Sequence, residues 1–319
     1  MRILLKVVII PPLVITGCVV SCLAYSTTEL GDSLGGYGSG VLYIFYALTA
    51  FFVSKPIVSM VGPKFGLLLG VSGYCVYVSG FLFAIVVPFA AWPVFLVACM
   101  IGGIAGGLLW PSQGRYFSKN AKMYAQASGT SVELVNATFA GIFATAYLGL
   151  EMVAKVLATL IFIFAPTRAP AIIFTVYTIL AISSCLVVNM LDDLQESGTW
   201  DISLNTILID SGAAATLVAS DPRLALMLPF QVCFGFASSF VPYYVFGTII
   251  NGSSSLGSTY VGLLSAVIVA TGASMAIPSS YAANTFGKPV GMLSQDNSMT
   301  YHPEMHATKV IDSPFTLNS

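Results

Sequence analysis

Apolar residues fall in eight long runs, separated by short polar, charged or glycine-containing breaks. The runs are Met1–Ser26, Tyr37–Ser54, Phe65–Phe89, Ala91–Tyr116, Ser131–Ala165, Ala171–Met190, Leu224–Ile250 and Thr259–Tyr281. A helix rises ~1.5 Å per residue, so about 20 such residues cross the ~30 Å hydrocarbon core of a bilayer. Lipid offers no hydrogen bonds to an open backbone, which makes each run a helix rather than an unpaired strand. The pattern therefore predicts an all-α, polytopic transmembrane helix bundle. In the fourth run Trp92 and Trp110 stand 18 residues apart. That is roughly 27 Å along a helix, and tryptophan favours the two membrane–water interfaces.

Two runs need adjustment. The first contains Pro11-Pro12. Small residues at Cys22 and Ala24 would suit a signal-peptide cleavage site, but paired prolines are poor in a signal's helical core and tolerable in a membrane helix, so it reads as a first transmembrane helix. The fifth run, Ser131 to Ala165, is 35 residues long, about 52 Å if wholly helical, and its first part is expected at the interface. Among the breaks, Thr27–Gly36 reads as a flexible polar loop with Glu29 and Asp32, and Lys55–Gly66 as a short turn. Arg115, Lys119 and Lys122 make a basic loop after the fourth run. Gly35-Gly36-Tyr37-Gly38-Ser39-Gly40 lacks both the GxGxxG spacing and a preceding strand, so it is not a phosphate loop.

The acidic interval Leu191–Asp221 divides six runs from two. The expected organisation is a six-helix bundle over 1–190, a linker over 191–222, two further helices over 223–291 and a disordered tail over 292–319. With the N-terminus inside, Arg2, Lys6, Lys55, Lys64, Arg115, Lys119, Lys122, Arg223, Lys288 and Lys309 all fall on the cytoplasmic side, and only Arg168 falls opposite. That asymmetry places both termini in the cytoplasm. Asn251-Gly252-Ser253 is then a glycosylation sequon in a very short outer loop.

Composition agrees with a lipid solvent: 57% of residues are hydrophobic and 8% charged, against about 25% charged in a soluble domain. The formal net charge of −1 gives no reason to expect a nucleic-acid partner. Cys18, Cys22, Cys75, Cys99, Cys185 and Cys233 all lie in apolar runs without CxxC spacing, and read as small packing residues rather than disulfides or metal ligands.

Candidate chemistry is sparse. Glu151 and Lys155 are the charged residues inside a run, spaced i and i+4 with the acid first. An intramembrane acid is a functional candidate by default. Glu133, Ala137, Ala140, Ala144, Glu151 and Lys155 project along one side of the helix, and Asn136 adds an amide near its start. This side is expected to face the bundle interior or a water-filled cavity. The bland alternative is a self-neutralising pair that fixes helix rotation. Gly102, Gly103, Gly106 and Gly107 form overlapping small-xxx-small pairs suited to helix packing or to a partner face. Tyr43, Tyr46 and Thr49 suit either packing or a pore lining, while Trp110 and Gln113 suit either an interfacial anchor or a partner-binding element. His302-Pro303-Glu304-Met305-His306 is not a zinc helix, because Pro303 interrupts it and the glutamate sits one place late. No nucleophile–base set, cofactor fingerprint or metal site is evident, which argues against an enzyme and predicts no cofactor.

Several motifs together resemble one family. Gly38-Ser39-Gly40-Val41-Leu42-Tyr43 enters the second helix, and Val61-Gly62-Pro63-Lys64 forms the following turn. Gly70-Val71-Ser72-Gly73-Tyr74 lies in the third run, and Leu109-Trp110-Pro111-Ser112-Gln113-Gly114-Arg115-Tyr116 closes the fourth. In this order they are similar to the uncoordinated-93 family of ion-channel regulatory proteins, a branch of the major facilitator superfamily, over about residues 30 to 290. Gly62, Lys64, Trp110, Gln113 and Gly114 carry the likeness. Where ordinary facilitators have an acid and an arginine in the turn after the second helix, this chain has Ser59 and Met60.

The resemblance implies a facilitator-like fold of twelve helices in two bundles, of which this chain supplies the first bundle and two helices of the second. It also implies a regulatory or trafficking subunit that acts on an ion channel or receptor. The alternative is a secondary transporter of a small solute or ion coupled through Glu151.

Overall fold

In a computed structural model of the chain, residues 12–194, 218–250 and 257–286 are described, with isolated positions between them. The His302–His306 segment, the expected tail, Asn251 and most of the acidic linker lie outside the described residues. The described residues form no strand. Helix α1 spans Pro12–Leu48 and passes through a π-helical segment, Thr49–Val53, into α2, Ser54–Val86. After a 3-10 turn at Pro88–Ala90 come α3 (Ala91–Ser128), α4 (Val132–Phe164) and α5 (Ala169–Asn189). Helix α6 (Pro222–Phe240) continues as a π-helix over Val241–Ile250, and α7 covers Gly257–Phe286.

Among the described residues, six helical stretches are long and apolar enough to cross a membrane, the first running 73 residues from Val14 to Val86. That stretch is folded twice, at Gly31 (φ 81°) and Gly62 (φ 80°). Only glycine adopts such angles without penalty, so one residue serves where a loop was expected. The fold yields three crossings, 12–30, 32–61 and 63–86. Ser26 and Ser39 face each other across the first bend with hydroxyls 3.5 Å apart, and Gly35 sits against the Ser26 carbonyl.

The expected Thr27–Gly36 loop is helical on both sides of Gly31 because Thr28 bonds back to the Tyr25 carbonyl and Leu34 is buried. Pro12 opens the helix, where its missing N–H costs nothing.

The expected basic loop after the fourth run is also helix. No breaker occurs before Gly129, and Tyr116, Asn120, Ala121 and Ala125 give its inner side a buried stripe. Ser131 then caps α4 by accepting from the Leu134 N–H. The two helices run back along each other from the Gly129 turn, with Phe117 and Tyr124 of α3 meeting Phe139 of α4 at ring separations of 6.2 and 5.3 Å.

The core forms where α2, α3 and α5 meet. Phe81 touches Tyr77, Phe95 and Phe174 with ring centroids 5.1, 4.7 and 5.1 Å apart, contacts worth about 0.5–1.5 kcal/mol each beyond area burial. Small residues let the helices approach: Gly70 lies on Leu109, Gly73 on Ala105 and Gly80 on Ala98. Cys75 and Cys185 meet on the flank of this core, Sγ to Sγ 3.3 Å. Helix α7 lies along α4, while the π-helical end of α6 packs on α1 through Gly247 against Thr27. The first part of α6 is largely uncovered, with Leu226, Phe230, Val232 and Phe234 all more than 60% exposed.

Candidate functional site

Glu151 and Lys155 lie two-thirds of the way along α4, both almost fully buried, with Lys155 Nζ donating to Glu151 Oε1 at 2.5 Å. Other helices close over the pair from two directions. A Cβ at Gly17 of α1 would lie 3.2 Å from the Glu151 Cα, and one at Gly262 of α7 would lie 2.7 Å from the Lys155 carbonyl oxygen. Between them, Tyr177 of α5 donates to the Ala154 carbonyl and Thr159 to that of Lys155. The two charges thus occupy the crossing of four helices, where each neutralises the other. Removing one partner of such a pair leaves an uncompensated buried charge.

The rest of the expected polar side does not join them. Glu133 is exposed in the first turn of α4, where a carboxylate suits the helix dipole, and Ala140 is exposed as well. Asn136 is half-buried in the same early part of the helix, about four turns from Glu151. This side is exposed near the start of α4 and buried around Glu151 and Lys155, where Gly17 of α1 and Gly262 of α7 close on it.

The glycine quartet of α3 is covered by the chain itself. Gly102 abuts Tyr77, Gly103 the Leu42 carbonyl, Gly106 the rings of Tyr46 and Tyr74, and Gly107 Thr49. Tyr46 and Thr49 are therefore packed on α3. Trp110 turns inward, its ring 6.1 Å from that of Tyr147. Gln113 is 4% exposed, and both its amide atoms lack hydrogen-bond partners. Gly114 faces open space. Gly62 forms the second bend, with Lys64 half-exposed just beyond. Arg115 donates to Ser59 at 2.8 Å, tying the end of the fourth crossing to that bend.

A cleft of about 870 Å³ opens between α1 and α6, lined among others by Ser26, Asp32, Ser39, Tyr43, Phe236, Ser238, Ser239, Phe240 and Tyr243. Tyr43 donates across it to the Ser238 carbonyl at 3.4 Å. Of these, Tyr43 is the one whose spacing on the second run marks it as a candidate pore-lining residue. A flexible-loop reading of Thr27–Gly36 hid Asp32, although hydroxyls at 26, 33, 39 and 43 were visible in the sequence.

Among the described residues, six long apolar helical stretches packed through small residues define an integral membrane protein of the all-α, multi-pass class. Within that class, residues 27–310 match the family model described as "Ion channel regulatory protein UNC-93", and the chain belongs to that family. It is also 28% identical over 116 residues to "UNC93-like protein 3" of Arabidopsis thaliana, a match covering 36% of this chain and 24% of that relative. The chain thus spans about a quarter of that relative's length.

Proposed function

We propose that the protein is a non-enzymatic regulatory or trafficking subunit that associates with an ion channel in the membrane. The family match over most of the chain carries this reading. Geometry adds support: Glu151 and Lys155 are bonded to each other and do not line the cleft. A coupling acid that exchanges protons or cations needs access to an aqueous path, so the closed ion pair speaks for a structural role and against the rival reading as a coupled transporter. The outward face of α6, with Phe230 and Phe234, offers apolar surface to lipid or to a partner's helix.

The arrangement we infer keeps the first six crossings as one facilitator-like bundle over 1–190. An acidic linker over 191–222, two helices of a second bundle over 223–291 and a tail over 292–319 follow. Both termini are cytoplasmic, on the strength of the basic-residue asymmetry.

The test is co-expression with potassium, sodium and calcium channels in turn, recording current density at matched channel protein. A change with one class, accompanied by co-purification, is the expected result; unaltered currents with all of them would overturn the proposal. Proton-driven uptake into reconstituted vesicles, lost in Glu151→Gln, would instead favour the transporter.

A further inference from the structure

We propose that the cleft between α1 and α6 is a binding site for a small protonated amine carrying an aromatic or alkyl body. Most hydroxyls of the lining have already spent their hydrogens. Ser26 donates to the Leu23 carbonyl at 2.8 Å and Ser39 to the Gly35 carbonyl at 2.8 Å. Ser238 and Ser239 donate to the Gly235 carbonyl at 3.0 and 3.2 Å, and Tyr43 gives its proton to the Ser238 carbonyl. Each of these oxygens keeps lone pairs but has no hydrogen to offer. Ser33 and Tyr243 also line the cleft and can donate, so its polar part holds more acceptors than donors.

Charge points the same way. Asp32 is the charged residue among the lining residues, and no lysine, arginine or histidine accompanies it. Its carboxylate lies at the rim, at the start of the limb that follows the Gly31 bend. An anion would find no cation there and would face the Asp32 carboxylate. An ammonium group brings up to three N–H donors and a positive charge, which is what the acceptors and the carboxylate lack.

The opposite wall supplies Phe236, Phe240 and Tyr243, whose π-faces attract cations and cover apolar surface. This wall is shaped by the change from α-helix to π-helix at Val241, a local geometry that recurs at functional sites. Phe236, Phe240 and Tyr244 stack in a ladder, with centroids 5.3 and 5.2 Å apart, which stiffens the wall. The volume of about 870 Å³ lies within the range of small-molecule sites.

This site does not rest on the channel-regulation reading, and binding is measured on the isolated chain, so either can fail without the other. The full-length protein is purified into lipid nanodiscs, and binding of 2-phenylethylamine is followed by calorimetry. Its neutral analogue 2-phenylethanol and its N,N,N-trimethyl derivative serve as controls. Saturable binding of the primary amine is expected, with the alcohol and the trimethyl derivative each about tenfold weaker or worse, since one lacks charge and the other lacks N–H donors.

Asp32→Asn is exposed and should fold as wild type; it is expected to weaken the amine about tenfold while leaving the alcohol unchanged. Ser39→Ala provides a second probe, with a smaller loss. No saturable binding of the amine at millimolar concentration, equal binding of alcohol and amine, or an unaffected Asp32→Asn would each overturn the proposal.

Discussion

Replacing Gly103 with alanine should loosen the bundle more than any other single-methyl addition on the same face of α3. The added Cβ would lie 2.4 Å from the Leu42 carbonyl oxygen, 2.8 Å from the Phe45 Cβ and 2.9 Å from the Tyr46 backbone nitrogen. Two of these are backbone atoms of the facing limb, so no side-chain rotation relieves the clash. The limb 32–48 and α3 must part by about 1 Å to restore ordinary van der Waals contact. Overpacking of this kind costs about 1–3 kcal/mol, with the upper end appropriate when backbone must move. Alanine returns up to ~1 kcal/mol of helix propensity, leaving a net loss of about 2 kcal/mol. Gly114→Ala is the matched control, because its Cβ meets nothing within 4 Å and should be neutral or slightly stabilising. Reversible denaturation in mixed micelles, followed by tryptophan fluorescence, measures both. A Gly103→Ala protein as stable as Gly114→Ala would refute the close approach of α1 and α3.

Lys155→Met should destabilise by about 3–5 kcal/mol through the orphaned Glu151, whereas the double variant Glu151→Gln/Lys155→Met should recover most of that loss in the same assay. Ser131→Ala removes the α4 cap and should cost about 1 kcal/mol, with faster amide exchange confined to the first turn of α4. Copper-phenanthroline-catalysed air oxidation should join Cys75 to Cys185, since their sulfurs already touch. Mass spectrometry after alkylation would show a linked peptide pair that Cys75→Ser abolishes, and its absence would contradict the packing of α5 on α2.

The membrane class of the chain was legible from hydropathy alone, because lipid allows so few solutions to an apolar run. The connections were harder to read. Thr27–Gly36 looks like a loop by composition, yet a single positive-φ glycine makes the reversal and its neighbours stay helical. The helical course of Arg115 to Ser128 was hidden for a related reason: charge marks the end of a membrane segment but does not end a helix. Site geometry depended on which helix covers which, and that is not local. Glu151 and Lys155 could be paired from their spacing, but Gly17 and Gly262 lie 134 and 107 residues from Glu151 and Lys155, and nothing in their own neighbourhoods announces that they seal the pair. The quartet at Gly102 to Gly107 signalled close approach without saying whether the visiting helix belongs to this chain.

The paired ends of α3 and α4 have a mechanical consequence. From Phe117 to Ser128 and from Val132 to Phe143, each contributes twelve residues on its side of the Gly129 turn, about 18 Å of paired helix. Clasped by Phe117, Tyr124 and Phe139, the two behave as a short mast fixed to the deck of the bundle. Lengthening or trimming that mast by one turn would therefore carry the Gly129 corner of the bundle about 5 Å outward or inward.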